Sequence, residues 1–332
     1  MDEEPAAPTT EYDARGPHLP DWMTRLGFWP WVFIIAAAAQ VIYRWRSADL
    51  GVSTPTIFIL VLDAMPSVLG ILFPAALLGR HPDAWDRARA LTFGTLLFAS
   101  IALFRFIENQ LTQVFVDLSP PTEELPISVL AAAFGAFVGV ISIFAVAYVA
   151  IGLSNARRFE DVPVQRWVLV FVTLAVVAIA ALRIYGVTQV QLGGLSWTPP
   201  IIAYFAAFLI IGILSAAAWG FLLVVCLRGR SAGEEPGAGW AAAGVGAALV
   251  IAQLLITSVA SLTLRFETED MVLLYSILTS GLLALAYLAL LVGFALGLPD
   301  LTPIEYEDED DLGDEPDLDD QLEPVEAMIT PA

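Results

Sequence analysis

Long uninterrupted apolar runs dominate the pattern along this chain. An α-helix needs about 20 consecutive apolar residues to cross roughly 30 Å of hydrocarbon, and about eight stretches approach that length. In chain order the predicted spans are Phe28–Tyr43, Pro55–Leu78, Ala90–Ile107, Ile127–Leu153, Trp167–Tyr185, Ile201–Leu227, Trp240–Leu264 and Met271–Leu298. The pattern therefore predicts an all-α fold, a polytopic transmembrane helix bundle that occupies residues 28–298.

Arginine positions orient these spans. The connections after the second, fourth and sixth predicted spans are rich in arginine, whereas those after the third and fifth contain none. The arginines of the rich connections are Arg80, Arg87, Arg89, Arg157, Arg158, Arg166, Arg228 and Arg230. Cytoplasmic loops carry an excess of basic residues, so both termini are predicted to be cytoplasmic. We expect a multi-pass protein in the plasma membrane of a prokaryote.

Acidic character is concentrated at the two ends of the chain. The formal net charge is −20, and all 15 basic residues are arginine. Residues 1–27 and 298–332 together hold about 20 acids against about 2 arginines, so the membrane body is close to neutral. We expect residues 1–27 and 299–332 to be disordered cytoplasmic tails. The C-terminal tail is either a solvated segment or a docking segment for a basic cytoplasmic protein, and no nucleic-acid partner is expected.

Asp63 is the acidic side chain that the pattern places deepest. It lies about eight residues, or roughly 12 Å, into the second predicted span, where a carboxylate is costly unless it is paired, protonated or facing water. Pro66 and Pro74 follow it and predict a kinked helix. One interpretation is a proton- or cation-coupling site of a transporter. The other is a buried ion pair with Arg44 or Arg105.

The predicted outer ends of the odd spans carry arginines. A candidate cationic cluster consists of Arg44, Arg46, Arg105 and Arg183. If these side chains converge, they could hold an anionic headgroup, a carboxylate or a phosphate at the outer face. The alternative is that each arginine extends separately toward the interface, with Glu108 neutralising part of the charge. The recurrence of these arginines also suggests a helical hairpin repeated along the chain.

The remaining polar, small and tryptophan residues of the spans indicate packing. Interhelical hydrogen bonds are the expected role of the neutral polar residues, which are Gln40, Ser100, Ser142, Ser215, Gln253, Thr257 and Ser258. Gly135 with Gly139 and Ala242 with Gly246 form small-residue pairs that permit close helix approach. Most tryptophans, including Trp167 and Trp240, fall at predicted span boundaries and suggest an aromatic belt; the in-span exception is Trp219.

No cofactor is expected. The single cysteine, Cys226, excludes an intrachain disulfide, and both histidines lie outside the predicted spans. The chain contains no lysine for a retinal Schiff base, and membrane-protease motifs that need histidine within the spans are missing. Three function classes stay open: a non-enzymatic membrane component such as a complex subunit, assembly factor or scaffold; a small-solute or ion transporter or channel; and an outer-face lipid-active enzyme.

Overall fold

The structure is a computed structural model of the chain. It describes residues 89–120, 128–156, 166–192, 198–231, 237–263 and 269–297, together with a few helical positions between 35 and 72. Side chains are described for most of these positions, but not for all of them. Within these segments every regular element is an α-helix and there is no strand.

Six helices make up the described segments. They are α1 (Arg89–Leu118), α2 (Val129–Ala156), α3 (Arg166–Leu192), α4 (Pro199–Ser231), α5 (Gly237–Thr263) and α6 (Glu269–Gly297). Each overlaps one of the last six predicted spans. The first two predicted spans and both acidic tails lie outside the described residues, apart from the helical positions between 35 and 72. The count of about eight spans and the disorder of the tails therefore stay predictions.

Five of the helices are long and apolar enough to cross a membrane. The qualifying stretches are Val129–Ser154, Arg166–Thr188, Ile201–Ser231, Gly237–Val259 and Ile277–Phe294. A shorter apolar stretch, Arg89–Ile101, lies in α1. These helices fit a multi-pass membrane protein, because each can cover the hydrocarbon thickness while satisfying its own backbone hydrogen bonds.

Local sequence explains where several helices begin and end. Ser128 caps α2: its hydroxyl accepts a hydrogen bond from the backbone N–H of Ala131 at 3.3 Å. The same hydroxyl donates to the carbonyl of Phe115 in α1 at 2.9 Å, which ties the two helices together at the turn. Helix α4 begins with Pro199, a residue favoured in the first turn because its missing N–H is not needed there. The last turn of α4 contains Arg228 and Arg230, which complement the negative end of the helix dipole.

Helices α4 and α5 lie at the centre of the described bundle. Helix α4 contacts α2, α3 and α5, and α5 also contacts α3 and α6, while α1 packs on α2. Among the consecutive pairs of described helices, α2 and α3 are the exception and do not pack closely on each other. In the α3–α4 pair, Val172 contacts Gly220 and Arg183 contacts Gly212, so positions advance along α3 as they fall back along α4. This antiparallel arrangement follows from the short connections between the helices.

Glycines set the spacing within two of the helical hairpins. In α1–α2, a Cβ on Gly94 would lie 2.9 Å from the carbonyl oxygen of Ala145. In α5–α6, a Cβ on Gly293 would lie 2.7 Å from the backbone nitrogen of Ala243, and one on Gly246 would lie 2.8 Å from the carbonyl oxygen of Ala286. The helix backbones are therefore in direct contact, which is how small residues stabilise membrane helix pairs. Close approach was predicted for Gly246 and is confirmed.

Aromatic side chains fill the middle of the bundle. The Phe98 ring of α1 packs edge to face on Trp219 of α4, with ring centroids 6.2 Å apart, and on Tyr287 of α6 at 5.5 Å. Gly70, one of the helical positions before α1, is buried, and a Cβ there would lie 3.4 Å from the Tyr287 ring and 3.7 Å from the Phe98 ring. We call Phe98, Trp219 and Tyr287 the aromatic centre.

Two predictions about packing side chains are wrong in detail. Trp240 does not belong to an interfacial belt: only 2% of it is exposed, and its indole packs on Gly229, whose missing side chain leaves room on α4. Ser100 and Ser142 donate to backbone carbonyls three and four residues earlier in their own helices, at 2.7 and 2.9 Å, and not between helices. Short hydroxyl side chains reach the preceding turn easily, so these bonds need no neighbouring helix.

Candidate membrane-embedded cationic site

The structure describes the side chain of one member of the predicted outer cluster. Asp63, Arg44 and Arg46 lie outside the described residues. Arg105 and Glu108 lie on α1, but their side chains are not among those described. Arg183 is described in full, so the convergence of the cluster and the pairing of Asp63 stay predictions, while the surroundings of Arg183 are known.

Arg183 binds the neighbouring helix through its guanidinium group. Its Nη1 donates a hydrogen bond to the backbone carbonyl of Phe208 in α4 at 2.7 Å. Its guanidinium carbon lies 4.2 Å from the centroid of the Phe208 ring, within the range of a cation–π contact. A single residue of α4 therefore supplies both an acceptor and an aromatic face to the charge on α3.

Gly212 makes this contact possible. A Cβ on Gly212 would overlap the guanidinium carbon and two of its nitrogens. Gly212 is four residues after Phe208, so in an α-helix its N–H is the usual partner of the Phe208 carbonyl. The carbonyl oxygen has a second lone pair, and the missing side chain leaves that lone pair accessible to Arg183. The glycine thus forms a notch in α4 that accommodates a planar cation.

Distances measured along α3 and along α4 give the same depth for the Arg183 guanidinium in a bilayer. The 17 positions from Arg166 to Arg183 along α3 correspond to about 25 Å at 1.5 Å per residue. The 16 positions from Gly212 to Arg228 along α4 correspond to about 24 Å. If Arg166 and Arg228 mark one hydrocarbon boundary, the guanidinium lies about 5 Å inside the other boundary of a core about 30 Å thick.

The electrostatics of the site are incompletely compensated. A guanidinium at the bilayer centre costs about 2.5–3.5 kcal/mol on insertion scales, and less near an interface. The Phe208 carbonyl and ring offset part of this cost, but neither carries a negative charge. Arg183 forms no ion pair with a carboxylate in the described part of the chain, and its buried Nε has no hydrogen-bond partner there. Among the described residues, the site therefore keeps a full positive charge and unused donors.

At the level of the cation, both helices carry apolar side chains that face outward from the bundle. Ile184 and Tyr185 on α3 are 50% and 54% exposed, and Ile210 on α4 is 54% exposed. Such exposure on a membrane-spanning helix is the expected character of a lipid-facing surface. Arg183 itself is half-buried, in the groove between these two helices. The arrangement can hold an anion that approaches from the lipid side.

The sequence identified Arg183 but not its partners. Phe208 and Gly212 were not singled out, because an aromatic residue and a glycine within an apolar span are ordinary packing residues. The available signal was their spacing: four residues place the glycine directly over the carbonyl of the aromatic residue. The sequence does not show which arginine lies beside that notch, since this depends on how α3 and α4 pack.

Metal chemistry has no set of ligands in the described part of the chain, where no group of three or more His, Cys, Asp or Glu residues is suitably placed. Cys226 is a free thiol, completely buried in α4. No protein-family model, curated protein or solved structure matches this chain.

Proposed function

We propose that this protein is a non-enzymatic component of a prokaryotic plasma membrane, acting as a complex subunit, assembly factor or scaffold. In this proposal its spans form a packed platform, both termini lie in the cytoplasm, and the acidic C-terminal tail contacts a basic cytoplasmic protein. Five apolar helices support the membrane location.

The single observation that supports this proposal best is the aromatic centre. Phe98 of α1 packs edge to face on both Trp219 of α4 and Tyr287 of α6, so side chains from three different helices fill this part of the interior. Around them, fully buried Leu290 and Ile251 continue the apolar packing. A packed apolar interior suits a structural component better than a solute pathway, because moving solutes need polar or hydrated surfaces.

The charge of the tail supplies the partner hypothesis. The segment from about residue 300 onward is strongly acidic and low in aromatic residues. Such a segment does not collapse on itself and stays accessible to a cationic surface. We therefore expect the affinity for a cytoplasmic partner to depend on the negative charge of residues 300–332 and to fall at high salt.

Co-purification with a tail variant tests this proposal. The full chain is extracted in mild detergent from the membranes of its own host, and the stoichiometric partner is identified by size-exclusion chromatography and mass spectrometry. The test variant replaces every acid of residues 300–332 with its amide. This variant keeps the length of the tail, so any difference from the wild type reports the negative charge of the tail. Loss of the partner supports the proposal; an unchanged complex, or a chain that elutes alone, contradicts it.

A transporter is the second candidate, and its support is Asp63 in the second predicted span. Pro66 follows it by three residues and is a buried helical position. A proline within a helix removes one backbone hydrogen bond and can leave a carbonyl free to bind a cation. Uptake by proteoliposomes that is abolished in Asp63→Asn but retained in Asp117→Asn would favour this candidate over the first.

An outer-face lipid-active enzyme has less support. Such an enzyme needs Asp63 or Glu108 beside the outer arginines. The described arginine of that cluster, Arg183, is engaged by a carbonyl and a ring of α4 and not by an acid. No observation in the described residues favours this class, so we do not propose it.

A further inference from the structure

The groove between α3 and α4 contains a positive charge that is held in place but not neutralised within the described part of the chain. We propose that Arg183 is a binding site for the phosphate group of an anionic membrane lipid, with Phe208 and Gly212 as positioning residues. This inference needs α3 and α4 to cross the bilayer. It is independent of whether the protein is a scaffold or a transporter.

The guanidinium is already oriented for an oxyanion. Its Nη1 donates to the Phe208 carbonyl, and the guanidinium group lies over the Phe208 ring and against Gly212. A guanidinium has five donor hydrogens, and this bond uses one of them. With respect to the part of the chain that the structure describes, the terminal nitrogens keep three, and paired donors of this kind match two oxygens of a phosphate. The side chain therefore needs little further ordering to bind.

The depth of the guanidinium in the bilayer favours a lipid phosphate over a soluble anion. The guanidinium lies about 5 Å inside the outer hydrocarbon boundary by the helix lengths given above, within reach of headgroup phosphates that settle toward a buried cation. Phe208 on α4 is 40% exposed, and Ile184, the residue next to Arg183 on α3, is 50% exposed, so the accessible surface beside the site is apolar. Acyl chains pack on such a surface, whereas a soluble anion would have to cross it without hydration. Lipid phosphate is therefore the better-matched ligand.

The guanidinium group of arginine suits the binding of a phosphate better than the ammonium group of a lysine would. A guanidinium stays charged at all relevant pH values and forms planar paired hydrogen bonds. It also stacks on an aromatic face such as Phe208. A zwitterionic lipid offers the same phosphate but adds a cationic group that Arg183 repels. The site should therefore discriminate between anionic and zwitterionic headgroups.

Native mass spectrometry of the full chain tests the proposal. The purified protein is mixed with equal amounts of phosphatidylglycerol and phosphatidylcholine of matched acyl chains, and the ratio of bound lipids is measured. We expect at least a fivefold preference for phosphatidylglycerol in the wild type. Arg183→Gln should reduce the ratio to near unity. The matched control is Arg230→Gln, which removes the same charge from the exposed cytoplasmic end of α4 and should leave the preference unchanged.

A second variant tests whether the position of the guanidinium, and not only its charge, contributes to the lipid preference. Gly212→Ala keeps every charge but displaces the guanidinium from its notch, so the preference should fall at least twofold. Equal binding of the two lipids by the wild type, or the same preference in Arg183→Gln as in the wild type, overturns the proposal. Displacement of bound phosphatidylglycerol by millimolar inorganic phosphate would assign the site to soluble oxyanions and overturn the lipid assignment. No displacement supports the lipid as the source of the phosphate.

Discussion

Replacing Gly293 with alanine should separate α5 from α6. A Cβ at this position would lie 2.7 Å from the backbone nitrogen of Ala243, 2.8 Å from the carbonyl oxygen of Gly239 and 2.9 Å from the Ala243 Cβ. Ordinary contact begins at about 3.4 Å, so the helices must move apart by roughly 0.7 Å. Two of the three atoms belong to a helix backbone, which cannot turn away as a side chain would.

The expected loss of stability follows from this displacement. A gap of 0.5–1 Å removes about a quarter to a half of the dispersion energy of the contacts it opens. Overpacking of this kind costs about 1–3 kcal/mol, and contact with backbone places Gly293 near the upper end. The gain in helix propensity from glycine to alanine returns about 0.5–1 kcal/mol. The net expectation is a free energy of unfolding lower by about 2 kcal/mol.

Unfolding in mixed micelles with increasing SDS measures this difference. Gly237→Ala is the matched control, because a Cβ there meets no atom within 4 Å. It should leave the free energy of unfolding unchanged or raise it by up to about 1 kcal/mol. If Gly293→Ala proves as stable as Gly237→Ala, the close backbone contact between α5 and α6 does not exist and the packing argument is refuted.

Two further predictions concern the interior of the bundle. Cys226 is completely buried, so a membrane-permeant maleimide should leave the folded protein unlabelled and modify it in SDS; rapid labelling of the folded protein would contradict this burial. Phe98→Ala removes two edge-to-face ring pairs and leaves a cavity at a buried position, so it should lower the free energy of unfolding in SDS titration by about 3–5 kcal/mol. The control is Phe144→Ala, which removes a half-exposed ring of α2 and should lower the free energy of unfolding much less. If the two variants lose the same free energy of unfolding, the aromatic centre does not contribute more to stability than an exposed ring does.

The apolar runs located the described helices well, but they did not give the full length of each helix. The third predicted span ends at Ile107, whereas α1 continues to Leu118. The fifth predicted span ends at Tyr185, whereas α3 continues to Leu192. In both cases the added turns contain polar residues that are compatible with a helix but not with hydrocarbon. Backbone hydrogen bonding continues past the end of the apolar run, and an apolar pattern does not register this.

The contacts between side chains of neighbouring helices could not be predicted from the sequence, for a physical reason. The notch at Gly212 and the close contacts at Gly94 and Gly293 depend on how neighbouring helices are rotated and shifted against each other. Many glycines in an apolar span would support many such arrangements, because membrane helix association depends on van der Waals fit and gains little from hydrophobicity. Arg183 could be selected from the sequence as a charge in an apolar helix, but its acceptor on α4 could not.

Side-selective cysteine labelling tests most directly whether these helices cross a membrane. Ser119, beside the end of α1, and Ser231, at the end of α4, are separated by three helices and should face opposite sides. Each is changed to cysteine in the wild-type background, where Cys226 is buried. An impermeant maleimide added to intact cells should label Ser119→Cys, and should label Ser231→Cys after permeabilisation and not before. Labelling of both variants in intact cells, or of neither, would contradict the account.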